Sequence, residues 1–233
     1  MTVHHAALFG CREPGYLAPA DDGLESLWHC PLASGLQYAT PKPGDLPRHP
    51  PCESLTSGTY FYAWVQRARQ RFELPPGIGY RVGGDSGINY IVLQGHFSVP
   101  EPGSPPDHLA MRVTFAPAAA NPDLKRASVF VSATEGIIPA KPVVHFEGAC
   151  PLKEPIEMHP VAYRVHAHAA GYSISGWQVT PATKTWRLIG RRSPQLPEDY
   201  TIIEKLNLTL RQGDVIATRC VYHNTKMTEI IIG

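Results

Sequence analysis

The stretch Tyr90-Ile91-Val92-Leu93-Gln94-Gly95-His96-Phe97 is a run of β-branched and aromatic residues bounded by Gly87 and Pro100. Such a run suits a pleated, half-buried surface, and it predicts a β-strand. Side chains alternate faces along a strand, so Tyr90, Val92, Gln94 and His96 share one side. Upstream, Thr2-Val3-His4-His5-Ala6-Ala7-Leu8-Phe9 predicts a second strand that begins with no preceding turn or cap. Downstream, strands are expected near Met111–Phe115 and Ser128–Ser132, separated by an Ala/Pro/Asn-rich linker from Ala116 to Pro122. Beyond the linker, turn signals recur at short intervals: Ile137-Ile138-Pro139, Ala169-Ala170-Gly171 and Arg211-Gln212-Gly213-Asp214. Tyr62 to Phe72 is the only stretch whose charge pattern suggests a helical turn or two, and residues 12–59 are expected to be a loop-dominated insertion. The predicted fold class is all-β, with two antiparallel β-sandwich (jelly-roll-like) domains at residues 1–117 and 118–233.

Composition agrees with that architecture. The 233 residues include 24 prolines, clustered as in Pro41-Lys42-Pro43-Gly44 and Pro102-Gly103-Ser104-Pro105-Pro106, and they cut the chain into segments too short for ordinary helices. At 43% hydrophobic and 18% charged, the chain has enough apolar surface for a sizeable core. A formal net charge of +1 gives no electrostatic reason to expect nucleic acid as a partner. No apolar run of membrane-spanning length is present, and the N-terminus has no basic-then-apolar leader. The expected partner is small or peptidic.

Eleven histidines are many for this length, and several come in pairs. In Val165-His166-Ala167-His168 the two rings are two residues apart, so on a strand they project from one face with Cα atoms about 6–7 Å apart. They could converge on one metal, and an isolated pair of this kind equally suits two exposed polar positions. His4-His5 is harder, because neighbouring strand residues point to opposite faces. Both can reach one metal only through an irregular backbone or by using different ring nitrogens. His96 is a possible third ligand or a hydrogen-bonded edge residue. Imidazole-only ligation suits copper, zinc, nickel or iron, and does not choose among them. A zinc hydrolase would need a carboxylate base beside a three-ligand site, and no Glu or Asp lies close in sequence to His166-Ala167-His168.

These motifs stand in the order of a known family. His4-His5-Ala6-Ala7-Leu8-Phe9-Gly10-Cys11, Gly79-Tyr80-Arg81-Val82-Gly83-Gly84 and Tyr90 to His96 resemble the first half of the copper type II, ascorbate-dependent monooxygenases of the peptidylglycine α-hydroxylating kind. Met158-His159, Ala162 to His168, Ser175-Gly176, Leu188 to Pro197, Gly213-Asp214 and Ala217 to Val221 resemble consecutive segments of the second half. The resemblance covers nearly the whole chain outside residues 12–59.

The resemblance implies two copper ions, one per domain, with ascorbate as reductant. His4, His5 and His96 would hold the first copper, and His166 and His168 the second together with a methionine. That methionine is expected in a segment beyond Ile232-Gly233, so the chain is taken as cut short at both ends, binding about one copper tightly and turning over little. Met227 is not promoted to ligand, and Met158 is expected in the core. The reaction implied is hydroxylation of the α-carbon of a C-terminal glycine by O₂, the first step of peptide amidation. Arg164 would anchor the carboxylate of the glycine-extended peptide, and Gln94 would line the catalytic cleft. Other readings are an inactive or copper-binding relative and a dopamine β-hydroxylase-type monooxygenase. The resemblance also implies a Cys11–Cys52 disulfide, with the other three of the five cysteines pairing outside the chain, and a secretory-pathway or extracellular location. Asn207-Leu208-Thr209 is a glycosylation sequon.

Overall fold

The computed structural model describes residues 3–17, 27–30, 44, 46–53, 58–66, 68–97, 109–133, 136–203, 207–226 and 228–232, with His4, Ile231 and Ile232 described by backbone alone. The described elements are strands and single 3₁₀ turns, and the chain is all-β. It forms two compact units, Met1–Gln66 with Glu73–Phe130, and Arg67–Phe72 with Val131–Gly233. The short segment after the second strand thus belongs to the second unit.

The first unit contains β1 (Val3–Cys11), β2 (Thr59–Val65), β3 (Ile78–Gly79), β4 (Tyr90–Phe97) and β5 (Lys125–Arg126). Its main sheet has the order β2-β1-β4, antiparallel throughout, while β3 and β5 form a short parallel pair. Period 2 sorts the faces. Leu8 packs with Phe61 and Ile88, against Tyr62, Tyr80, Val82, Ile91 and Met111, so the chain around residues 80–88 and 111 covers one side. The other side carries Cys11 and Val92, which pack with Cys52, Phe9 and Trp28. Cys11 and Cys52 form a disulfide with Cα atoms 5.4 Å apart. It ties the long connection between β1 and β2 down onto the sheet.

The second unit contains β6 (Gly136–Ile138), β7 (Val143–Pro151), β8 (Ala162–Tyr163), β9 (Gly171–Thr180), β10 (Thr185–Arg192), β11 (Thr201–Ile202), β12 (Val215–His223) and β13 (Ile230–Ile232). The order β10-β9-β12-β7 makes one antiparallel sheet, and β11·β8 and β13·β6 are antiparallel ribbons. Ile138, fully buried on β6, packs with Tyr222, Val144, Phe146, Cys220 and Ile230, so the β6·β13 ribbon lies on one face of the large sheet. A second cluster, Leu152, Leu210 and Ile216 with Met158 and Ile189, continues that core and holds Met158 as a packing residue.

Several local expectations give way. Tyr62 to Val65 belong to strand β2, because the aromatic and β-branched residues there pair along β1. Met111–Phe115 and Ser128–Ser132 carry no ladder among the described residues, and Ala118–Ala120 is a 3₁₀ turn within the first unit. The strand expected at His166-Ala167-His168 is absent as well. That segment has no ladder of its own and lies between β8 and a turn at Ala169-Ala170.

Candidate metal centres

In the first unit, antiparallel pairing sets His5 of β1 opposite His96 of β4. Their rings lie edge to face with centroids 5.8 Å apart. The ladder shifts register between Val3 and His5, so two steps along β1 match one step along β4 and the extra residue is His4. A bulge of this kind re-aims side chains that a regular strand would send to opposite faces, and it supplies the irregular backbone that adjacent histidine ligands need. The His4 side chain lies outside the described residues. One step along the same face, Gln94 stands opposite Ala7. Burial pushes the pKa of the nearby Cys30 thiol up, with the Gln94 and Trp28 side chains acting in the opposite direction. The insertion at residues 12–59 thus comes close to a candidate site residue.

In the second unit, Val165 is buried and Ala167 packs near Ile138, whereas His166 and His168 face outward. The alternation expected of a strand survives without the strand, because the apolar side chains are pinned to the core. The His166 and His168 rings are perpendicular, with centroids 5.4 Å apart. Gly171 closes the turn that follows, donating its N–H to the His168 carbonyl. A Cβ there would meet Ala167, Pro194 and the His168 carbonyl, so glycine suits the close approach. Gln195 braces the same turn, its side-chain amide donating to the carbonyls of His168 and Gly171 at 3.2 and 2.9 Å.

The sequence reading missed Glu198. One carboxylate oxygen, Oε1, lies 2.7 Å from His166 Nδ1, and the other, Oε2, lies 2.7 Å from Arg164 Nη2. Arg164 Nε also donates to the Glu198 backbone carbonyl at 3.1 Å. Burial pushes the Glu198 carboxyl up, but hydrogen bonding and charge from His166 and Arg164 outweigh it and hold the group below the ordinary glutamate range. The side chains of Glu198 and Arg164 are each 14% exposed, while His166 is 45% exposed. The following residues anchor the loop. Asp199 accepts a hydrogen bond from the Arg69 N–H at 2.6 Å, and the Tyr200 and Phe72 rings are 4.4 Å apart. No carboxylate lies near the histidine pair along the chain, yet Glu198 reaches it in space. Glu198 is nevertheless committed to Arg164 and to the far nitrogen of His166, which does not suit a base acting on a metal-bound water. A sequence signal existed: Glu198 directly follows the Leu188 to Pro197 segment of the resemblance.

Among the described residues no three His, Cys, Asp or Glu side chains cluster as a complete metal site. What the structure brings together is one pair of imidazoles per unit. Paired imidazoles fit copper among the borderline metals, and His166 meets Glu198 through Nδ1.

An all-β chain in two units, each bringing two histidine rings within 6 Å of one another, is a two-domain β protein with a histidine pair in each half. Residues 1–104 match the N-terminal domain of the copper type II ascorbate-dependent monooxygenases, and residues 125–233 match the C-terminal domain. The chain belongs to the copper type II ascorbate-dependent monooxygenase family. It is 33% identical over 223 residues to peptidyl-glycine alpha-amidating monooxygenase B of Xenopus laevis, covering 95% of this chain and 22% of the relative. Peptidyl-glycine alpha-amidating monooxygenase of Mus musculus is 32% identical over 232 residues, covering 98% of this chain and 20% of the relative. The protein of that name from Rattus norvegicus is 32% identical over 233 residues. The chain spans about a fifth of the length of these curated relatives.

Proposed function

We propose that the protein is a copper- and ascorbate-dependent monooxygenase that hydroxylates the α-carbon of a C-terminal glycine in a peptide. The observation that supports this most directly is the conjunction of the family match across both halves with a close pair of imidazoles in each. His4, His5 and His96 would hold one copper in the first unit, and His166 and His168 another in the second. Copper bound there would supply single electrons and activate O₂, with ascorbate as the external source of the two electrons that balance the oxygen atom leaving as water.

The chain's own residues then have distinct tasks. Arg164 presents a planar fork of N–H donors suited to a peptide carboxylate, and Glu198 engages two of its nitrogens, leaving Nη1 for substrate. Gln94, beside His96 on one strand face, lines the approach to the first histidine pair. A secretory-pathway or extracellular location fits the Cys11–Cys52 disulfide and the exposed Asn207 of the sequon. No helix among the described residues is long and apolar enough to cross a membrane.

A second reading, a dopamine β-hydroxylase-type enzyme acting on an amine without a carboxylate, draws support from the Arg164–Glu198 pair, which already compensates the arginine charge. The deciding assay supplies copper, ascorbate and O₂ with either a glycine-extended peptide or a phenethylamine. The proposal expects one oxygen atom added to the peptide, on the terminal glycine. Hydroxylation of the amine alone would replace it with the second reading.

A further inference from the structure

We propose that Glu198 is the positioning residue of the second copper site, fixing His166 in the one tautomer that can bind metal through Nε2. The inference rests on the proposed role of His166 as a ligand, and its geometry stands apart from it. An ionised carboxylate has no hydrogen to donate, so in the 2.7 Å contact with Glu198 Oε1 the proton must sit on His166 Nδ1. In the neutral ring the lone pair is then on Nε2. Imidazole free in water favours the opposite tautomer, with the proton on Nε2, which would have to rearrange before that nitrogen could ligate.

Glu198 is itself held at three points. Arg164 Nη2 takes its second oxygen at 2.7 Å, Arg164 Nε takes its backbone carbonyl at 3.1 Å, and the next residue, Asp199, is fixed by the Arg69 N–H. The carboxylate is largely buried while the imidazole it holds is half exposed. A rigid acceptor behind a partly exposed donor ring is the arrangement by which an outer carboxylate orients a metal-ligating histidine. The His168 ring meets that of His166 edge to face, and the His168 backbone is braced by Gln195 instead. The two histidines are therefore positioned by different means, one through its ring and one through its main chain.

The test begins on the metal-free protein, with long-range ¹⁵N–¹H correlation spectra of the His166 ring. The neutral ring is expected in the Nδ1–H form in the unsubstituted protein. In Glu198→Ala the Nε2–H form should dominate, and in Glu198→Gln the amide oxygen should still accept and keep Nδ1–H. Cu(I) affinity is then measured by competition with a chromophoric chelator in a His5→Ala/His96→Ala background, which isolates the second site. Glu198→Ala should weaken it by about 10–100-fold, and Glu198→Gln by less. Near-UV circular dichroism reports whether each variant is folded. An Nε2–H tautomer in the unsubstituted protein overturns the proposal without recourse to any variant, as does a folded Glu198→Ala with unchanged tautomer and affinity. Failure of the copper reading looks different: His166→Ala would leave copper binding intact while the tautomer results stand.

Discussion

Asp214 and Glu198 are both carboxylates held below their ordinary range, yet they do different work. For Asp214, burial pushes the pKa up and is outweighed by hydrogen bonds from the Thr180 hydroxyl, the Arg211 N–H and the Gln178 amide. These bonds measure 2.7, 3.0 and 2.7 Å, and they tie the Arg211–Asp214 turn to β9. Replacing Asp214 with Ala removes one of the two acceptors of the buried Gln178 amide, which keeps the Thr209 carbonyl, and should cost about 1–3 kcal/mol, read as a lowered denaturation midpoint. The folded pKa lies below the unfolded one, so Asp214 contributes stability fully present above the unfolded value of about 3.9 and lost as pH falls through the folded value. The difference in stability between the protein and Asp214→Asn should therefore shrink as pH is lowered below about 4. A constant difference would show that the carboxylate charge is not involved. At this scale periodicity alone left His4-His5 and His96 open, and the resemblance of the motifs to a known family grouped them; the antiparallel pairing of β1 with β4 sets His5 beside His96. Glu198 was not legible in the sequence, since it reaches His166 across 32 residues through a loop whose path no local pattern encodes.

The elements most legible in the sequence are those whose side-chain pattern and ladder agree. Tyr90–Phe97 forms β4 over the whole predicted span, alternating between covered faces. His166-Ala167-His168 has the same alternation without a paired strand, so the pattern revealed which residues are buried and not whether a strand forms. Met111–Phe115 is apolar enough to suggest a strand, but Met111 packs on the Leu8 cluster as part of an irregular cover. The long connection between β1 and β2 has its own consequence. The Cys11–Cys52 bridge closes a loop of 41 residues, for which the chain-entropy estimate is about 4 kcal/mol. Both cysteines are buried beside Val92 on the face that carries Gln94 and His96. Cys11→Ser/Cys52→Ser should lower the thermal midpoint and weaken copper binding at the first histidine pair while leaving the second pair unchanged, as followed by calorimetry and Cu(I) competition. An unchanged first site would mean that the bridge stabilises the connection without supporting the ligands.

Each unit joins an antiparallel sheet to a pair of imidazoles, brought together by strand pairing in the first unit and by an unladdered, core-pinned segment in the second. The all-β class and the two-domain organisation follow from proline spacing, turn signals and the order of the motifs, whereas the assignment of residues 67–72 to the second unit depends on tertiary contacts such as Arg69 with Asp199 that no periodicity reveals. The central claim is that each histidine pair holds its own copper. It is tested most directly by copper stoichiometry with X-ray absorption on three forms of the protein: unsubstituted, His5→Ala/His96→Ala and His166→Ala/His168→Ala. The account predicts that each double substitution removes the copper of its own pair and leaves the imidazole signature of the other. Loss of all copper on changing either pair, or of none on changing both, would contradict it.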